Sequence, residues 1–279
     1  ENSAGIEGRR CQDPAVHTMK TEPKLKELGL KPGKGQNFLT HKSTVKALVE
    51  AGEIEGSVLE IGGGLGTVTE ELREKTSDLT VIENEALLAD YLERQFIDVN
   101  VVEDDVLEQD ISGFDRCVSN IPFQLSSEII EKLGKDQVQS ALIVQEDLAD
   151  KIVADPGEKN HGFFTVKTQY YFLPVKLRTV PSTCFYPEPE VNAAIIKLYP
   201  GRDRYDISDE EEFFSVVKAL HTHGKKKVRN AFVDARNMLG LKKERARRLR
   251  DELPHSDERV RELGIAELKE FFESYQQII

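Results

Sequence analysis

The chain has 279 residues, of which 39% are hydrophobic and 32% charged, the composition of a folded globular protein rather than a disordered or fibrous one. A formal charge of −12 argues against a generically basic nucleic-acid binder, so any such role must rest on local charge. No apolar run of about 18 residues is present to suggest a membrane span.

At the start of the chain, Ile6-Glu7-Gly8-Arg9 resembles a protease site of an expression vector. Residues 1–18 therefore read as a tag remnant and Met19 as the natural start. No basic segment followed by an apolar one opens the chain, so secretion is not expected. Setting Cys11 aside leaves Cys117 and Cys184, which have no metal-ligand spacing. They read as small buried side chains in a reducing cytoplasm.

Val45, Leu48 and Val49 lie at i, i+3 and i+4 and predict a helix over 44–51. Short apolar runs then alternate with helical patterns. Strands are expected over 57–61, 79–83, 99–103, 115–119 and 139–144. Helices are expected over 67–75, 86–95 and 126–133, the last with Ser126 as an N-cap signal. Such alternation builds βαβ units and a mostly parallel sheet, whose ligands bind beyond the carboxyl ends of the strands. Two more strands are expected over 175–180 and 193–198, joined by a Pro-rich loop from Pro181 to Pro189. Pro200-Gly201-Arg202-Asp203 is a turn and a domain boundary. From Asp209 the pattern is helical, with Phe213, Val216, Val217 and Leu220 on one face. Basic residues concentrate in Lys225-Lys226-Lys227-Val228-Arg229 and again between Arg245 and Arg250.

The residues that could do chemistry sit at the strand ends. Glu60-Ile61-Gly62-Gly63-Gly64-Leu65-Gly66 joins the first strand to a helix. Glycines there let the backbone turn tightly and approach a ligand. The spacing is G-x-G-x-G rather than G-x-G-x-x-G, which suits a ligand without a pyrophosphate. Glu83, ending the second strand, can accept both hydroxyls of a ribose. Asp105, or Asp104 beside it, can accept a hydrogen bond from an adenine amine. Asn120-Ile121-Pro122-Phe123 follows the fourth strand. Pro122 holds the residue before it extended, so the Asn120 side-chain oxygen and the Ile121 carbonyl can point the same way. Two convergent acceptors match an amine with two N–H donors, and Phe123 offers a face on which a base can stack. No G-x-S-x-G elbow, H-E-x-x-H helix or Walker loop is present, and no metal site is expected. His221 and His223 read as surface residues.

From Lys31 to beyond Asn230 the chain resembles the small-subunit ribosomal RNA adenine dimethyltransferases. The matching pieces are the turn from Glu60 to Gly66, Val81-Ile82-Glu83, Asp105, Gly35-Gln36-Asn37-Phe38-Leu39 and Asn120-Ile121-Pro122-Phe123. Phe185-Tyr186-Pro187-Glu188-Pro189-Glu190-Val191 and Lys225-Lys226-Lys227-Val228-Arg229-Asn230 match as well.

The resemblance implies an α/β fold. A Rossmann-like S-adenosylmethionine methyltransferase domain with a seven-stranded, mostly parallel sheet would occupy 19–200, and a small helical RNA-binding domain 201–279. It implies dimethylation of two adjacent adenosines near the 3′ end of small-subunit rRNA, in ribosome biogenesis. By the family's pattern Asn37, Leu39, Gly62, Glu83, Asp105 and Asn120 line the cofactor site. Asn120, Ile121, Pro122 and Phe123 form the catalytic turn, and Phe123 and Phe185 flank the target base. Lys225, Lys226, Lys227 and Arg229 would meet RNA. The expected partner is the small ribosomal subunit, met by a cytoplasmic monomer. Two other functions share this apparatus: large-subunit rRNA methylation, and a non-catalytic assembly or transcription factor. The family's commonest catalytic turn reads Asn-Leu-Pro-Tyr, so Ile121 and Phe123 are departures, with Ile121-Pro122 similar to the archaeal branch. Asn192 stands where an Asp is common.

Overall fold

The computed structural model describes residues 21–33 and 35–279. The tag remnant, Met19 and Cys11 lie outside the described residues. In chain order the elements begin with α1 (Thr21–Glu27), β1 (Phe38–Leu39), α2 (Lys42–Ala51) and β2 (Val58–Ile61). Then come α3 (Thr67–Arg73), β3 (Leu79–Glu83), α4 (Ala86–Gln95), β4 (Asn100–Glu103), β5 (Arg116–Asn120), α5 (Ser126–Lys135) and β6 (Gln139–Gln145). Next are α6 (Glu146–Ile152), α7 (Phe163–Tyr171), β7 (Phe172–Val180), β8 (Phe185–Tyr186) and β9 (Ala193–Pro200). The remainder is helical: α8 (Glu210–His221), α9 (Val228–Asp234), α10 (Lys243–Leu249) and α11 (Ile265–Ile278).

Seven strands form one sheet in the order β4-β3-β2-β5-β6-β9-β7, with β2 parallel to β3 and β5, and β3 parallel to β4. This is the Rossmann-like architecture expected of the sequence. The chain order reverses between β2 and β5, which opens a crevice beyond their carboxyl ends. β2 is buried along its whole length, as the apolar residues Val58, Leu59 and Ile61 on both sides of the strand require of a sheet covered on both faces.

The chain divides into two compact units. The first takes the chain up to Ser126, with Ala141–Glu146 and Arg178–Ile195. Its core gathers α2 and α3 (Val45, Leu48, Val68, Leu72) against strand residues such as Val58, Val81, Val118 and Ile143. The second takes Ser127–Ser140, Asp147–Leu177 and Ile196–Ile279. It is built on aromatic packing: Tyr170 meets Phe214 edge to face at 5.2 Å, Phe213 meets Phe272 at 5.5 Å, and Phe232 meets Phe271 at 6.1 Å. No helix among the described residues is long and apolar enough to cross a membrane.

Three expectations change. Ser126 lies inside α5 rather than capping it, and its hydroxyl donates to the Pro122 carbonyl at 3.2 Å. The Pro181–Pro189 stretch is not all loop. It holds a short 3-10 turn, Ser182–Cys184, and β8, which pairs antiparallel with β1. His221 is not a surface residue. Its Nδ1 lies 2.9 Å from the Val217 carbonyl oxygen and its ring 6.2 Å from that of His161. Burial lowers the pKa of His221 to about 4, so both rings are neutral at pH 7. Cys117 and Cys184 are buried and form no disulfide, and burial pushes the Cys117 thiol up to about 12.

Candidate active site

A cleft open to solvent lies at the carboxyl ends of β2, β3 and β5, within the first compact unit. Of the residues singled out in the sequence, Asn37, Leu39, Gly62, Glu83, Asn120, Ile121, Pro122 and Phe123 line it together.

The floor is the glycine turn after β2. Gly62 and Gly64 have φ of 74° and 56°, backbone that L side chains rarely adopt. Gly66 has φ 78°, and a Cβ there would also drive into the Phe96 ring. The turn thus presents bare backbone to the cleft, and its Gly64 N–H is already aimed at a carboxylate. That carboxylate is Glu83, which is 4% exposed. Its Oε2 accepts from Gly64 N at 2.9 Å and its Oε1 from Glu85 N at 3.1 Å. Burial raises its pKa, and the backbone N–H groups of Gly64, Glu85 and Asn84 oppose that rise. Each oxygen keeps a lone pair for a further donor.

Glu60, one strand over, also lines the cleft, although the sequence marked it only as the acid before the glycines. It is fully buried and accepts from Thr69, whose hydroxyl lies at 2.6 Å and whose backbone N–H also contributes. Burial first, and the Glu83 carboxylate as a lesser cause, push its pKa up to about 8. Of the two acids, Glu83 has more backbone N–H donors to hold a negative charge, and Glu60 is the one that burial pushes furthest toward its protonated form. An acid inside an otherwise apolar, doubly flanked strand was the signal for Glu60. Phe38 and Asn84 are further lining residues the sequence did not single out.

The wall is the turn after β5. Ser119 fixes it by accepting the Ile61 N–H at 2.7 Å on its buried hydroxyl, tying β5 to β2. Asn120 Nδ2 donates to the Asn37 carbonyl at 2.9 Å, and Asn37 Nδ2 donates to the Pro187 carbonyl at 2.7 Å. Asn120 Oδ1 is buried and has no hydrogen-bond partner. A buried acceptor left unmade costs roughly 1–3 kcal/mol, and native structures keep such groups where function uses them. Pro122, at φ −58° and ψ 121°, turns the chain into the short 3-10 helix Phe123–Leu125.

Phe123 and Phe185 meet edge to face, with centroids 6.0 Å apart and planes at 70°. Phe185 is 4% exposed and part of the core, so the two rings are not parallel walls with a slot between them. Asp105 is not among the lining residues of the cleft. Its Oδ1 accepts the Leu107 N–H at 2.9 Å, and Asp104 accepts the N–H of Asp105 at 2.7 Å. Asn192 Oδ1 accepts from Ser182 N at 3.2 Å, a bond that an Asp could accept equally.

The basic segment of the second unit is largely ion-paired. Lys226 meets Asp234 at 2.7 Å, and Lys227 and Arg229 both meet Asp257 at 2.9 Å. Among the described residues no group of three or more His, Cys, Asp or Glu could hold a metal.

The family model described as ribosomal RNA adenine dimethylase matches residues 29–264. A relative from Thermococcus sibiricus, described as a probable ribosomal RNA small subunit methyltransferase A, is 34% identical over 89% of this chain and 94% of its own. One of the same description from Thermococcus kodakarensis is 32% identical over 85% and 88%. Among solved structures, a dimethyladenosine transferase from Plasmodium falciparum superposes with a TM-score of 0.76 at 20% identity, covering 86% of this chain and 98% of that one. The 23S rRNA methyltransferase ErmE gives 0.64 at 22%, covering 86% and 100%, and these two likenesses concern the fold. Matched over most of its length by family model and archaeal relatives alike, the chain belongs to the ribosomal RNA adenine dimethylase family.

Proposed function

We propose that this protein uses S-adenosylmethionine to dimethylate the N6 amines of adjacent adenosines near the 3′ end of small-subunit rRNA, acting as a cytoplasmic monomer in ribosome biogenesis. The observation that carries the chemistry is the buried, unpartnered Asn120 Oδ1 in the cleft that the Glu83 carboxylate also lines.

The residues fit that cofactor. The positive-φ glycines leave a cradle free of Cβ atoms, and Glu83 keeps acceptor capacity for two ribose hydroxyls. Asn37, Leu39 and Gly62 complete the lining, and Asp105, just past β4 and outside that lining, is the acceptor assigned to the adenine amine. When bound, S-adenosylmethionine supplies an electrophilic methyl on a sulfonium.

The protein's own work is positioning. The adenine amine is a poor nucleophile because its lone pair is delocalised into the ring. Asn120 Oδ1 and the Ile121 carbonyl accept its two N–H groups, favouring a pyramidal nitrogen and stabilising the positive charge that develops there. No strong base is required, since the product ammonium readily loses a proton to water. Phe123 stacks on the base, which must leave its own stack to arrive. Phe185 supports the Phe123 ring at its edge. The second transfer requires that a methyl fit beside one of the two acceptors. Residues 19–200 form the catalytic domain. Residues 201–279 hold RNA, with Lys225, Lys226, Lys227 and Arg229 among the phosphate-binding side chains.

The test is transfer from tritiated cofactor to purified, undermethylated ribosomal subunits. Incorporation into small subunits, at adenine N6, is the expected result. Incorporation only into large subunits would overturn the substrate assignment. Cofactor binding with no transfer to either would make the protein a binding factor on this fold.

A further inference from the structure

The second basic stretch of the sequence is left unused by the active site, and its surroundings differ from those of Lys225–Arg229. Lys242 precedes α10, and Lys243, Arg245, Arg247 and Arg248 lie on it. All five side chains are exposed. Arg245 donates to the Ile278 and Ile279 carbonyls at the end of α11, at 3.3 and 2.7 Å. Lys242, Lys243, Arg247 and Arg248 form no ion pair with any described residue, and Glu244 is the one acid between Lys242 and Arg248. In the 225–229 segment, by contrast, Lys226 is ion-paired with Asp234, and Lys227 and Arg229 share Asp257.

We propose that Lys242, Lys243, Arg247 and Arg248 form an RNA-backbone docking surface, distinct from the ion-paired 225–229 segment. The inference rests on the proposed function for its partner. Four unneutralised cations on one short stretch of a chain of charge −12 are a local reversal of the field. The chemistry of the face selects the partner. Its exposed residues from 242 to 248 are all charged, while Leu241 and Ala246 turn inward and are buried. A protein interface needs an apolar centre, and a membrane-surface helix needs an apolar face. A charged face in which cations outnumber the one acid, Glu244, fits a polyanion whose phosphates are met one by one. Lys243 and Arg247 are about one helical turn apart, roughly 6 Å along the axis, and can engage neighbouring phosphates together.

The experiment compares the full-length chain with K242Q/K243Q/R247Q/R248Q and with K225Q/K226Q/K227Q. Binding to undermethylated small subunits is measured from about 50 to 200 mM salt. Cofactor binding and cooperative unfolding are measured alongside. The α10 variant should bind on the order of tenfold more weakly or worse. Its slope of log affinity against log salt should be shallower by roughly 0.7–0.9 for each phosphate it no longer neutralises. The variant K242R/K243R should keep the parental slope, because charge and not shape is read. Parental affinity and slope in the α10 variant overturn the proposal. So does weaker binding at unchanged slope, which would mark a protein interface instead. A parent chain that fails to bind small subunits overturns it too. A parent that binds them with the expected slope yet transfers no methyl overturns the proposed function and leaves the docking surface standing.

Discussion

The Asn120 side chain donates from Nδ2 to the Asn37 carbonyl at 2.9 Å, which leaves Oδ1 as the end of the amide with no partner. The 35–39 segment therefore orients the catalytic turn besides lining the cleft. Asn37 is anchored in its own right, through Nδ2, to the Pro187 carbonyl at 2.7 Å. Three segments far apart in sequence set the direction of one acceptor.

That arrangement predicts a division between chemistry and binding. Asn120→Ala should retain the fold and much of the cofactor affinity while slowing methyl transfer by about 10²–10³, the usual cost of one preorganised group acting where charge develops. Asn120→Asp keeps an acceptor but loses the Nδ2 donor to Asn37, and should also be slow. Single-turnover methylation of undermethylated small subunits at saturating cofactor measures both. Parental rates in Asn120→Ala would reduce Asn120 to a turn residue.

Glu83→Ala should weaken S-adenosylmethionine binding by roughly 1.5–3 kcal/mol, the worth of hydrogen bonds to a charged group. Glu83→Gln should fall between the two, because an amide keeps one acceptor but brings N–H donors toward Gly64 and Glu85, which are donors themselves. Calorimetry reads the difference directly. Unchanged affinity in Glu83→Ala would remove the ribose role.

Much of this site was legible in the sequence because its residues sit at ends of strongly patterned elements. β3 and α4 run over the residues their periodicity gives, Leu79–Glu83 and Ala86–Gln95. Glu83 and the glycine turn follow from them. Other features had no such pattern. α7 is Phe-Phe-Thr-Val-Lys-Thr-Gln-Tyr-Tyr, rich in the aromatic and β-branched residues that favour strands, and it is helical because tertiary packing of Val166, Tyr170 and Tyr171 overrides that preference. β1 and β8 have two residues each, too few for any alternation to show. The lysine segment looked free because its partners lie eight and about thirty residues away, at Asp234 and Asp257. Phe185 looked like a stacking surface, and only the fold buries it.

Phe123 is half-buried and braced by the edge of Phe185. Phe123→Ala should slow transfer chiefly by losing the stacked base, worth about 1–3 kcal/mol, and should raise the subunit concentration needed for half-maximal rate. Phe123→Tyr, which restores the family's commoner residue, should be nearly neutral. Phe185→Ala should instead lower stability, by about 3–5 kcal/mol as for other buried aromatics. A Phe185→Ala protein as stable as its parent would place that ring outside the core.

Glu60 makes the stability of the protein depend on pH in a direction that can be worked out. Its pKa rises from 4.5 when unfolded to about 8 when folded. Between those values the unfolded chain has released this proton and the folded chain has kept it. The unfolded state thus binds fewer protons, and stability falls as pH rises through that window, levelling off above about 8. At about 1.4 kcal/mol per unit, the full effect is on the order of 5 kcal/mol. His161 and His221 act the other way: their folded pKa values lie below 6.5, so they add stability as pH rises toward 6.5 and nothing beyond it. Glu83 shifts in the same direction as Glu60 and remains in both proteins compared. Urea unfolding of the parent and of Glu60→Gln, at intervals from pH 6.5 to 8.5, therefore isolates this one carboxyl. The parent should lose stability across the range and Glu60→Gln markedly less, with Thr69 still able to donate to the amide oxygen. Identical slopes in the two proteins would mean that Glu60 is ionised in the folded cleft.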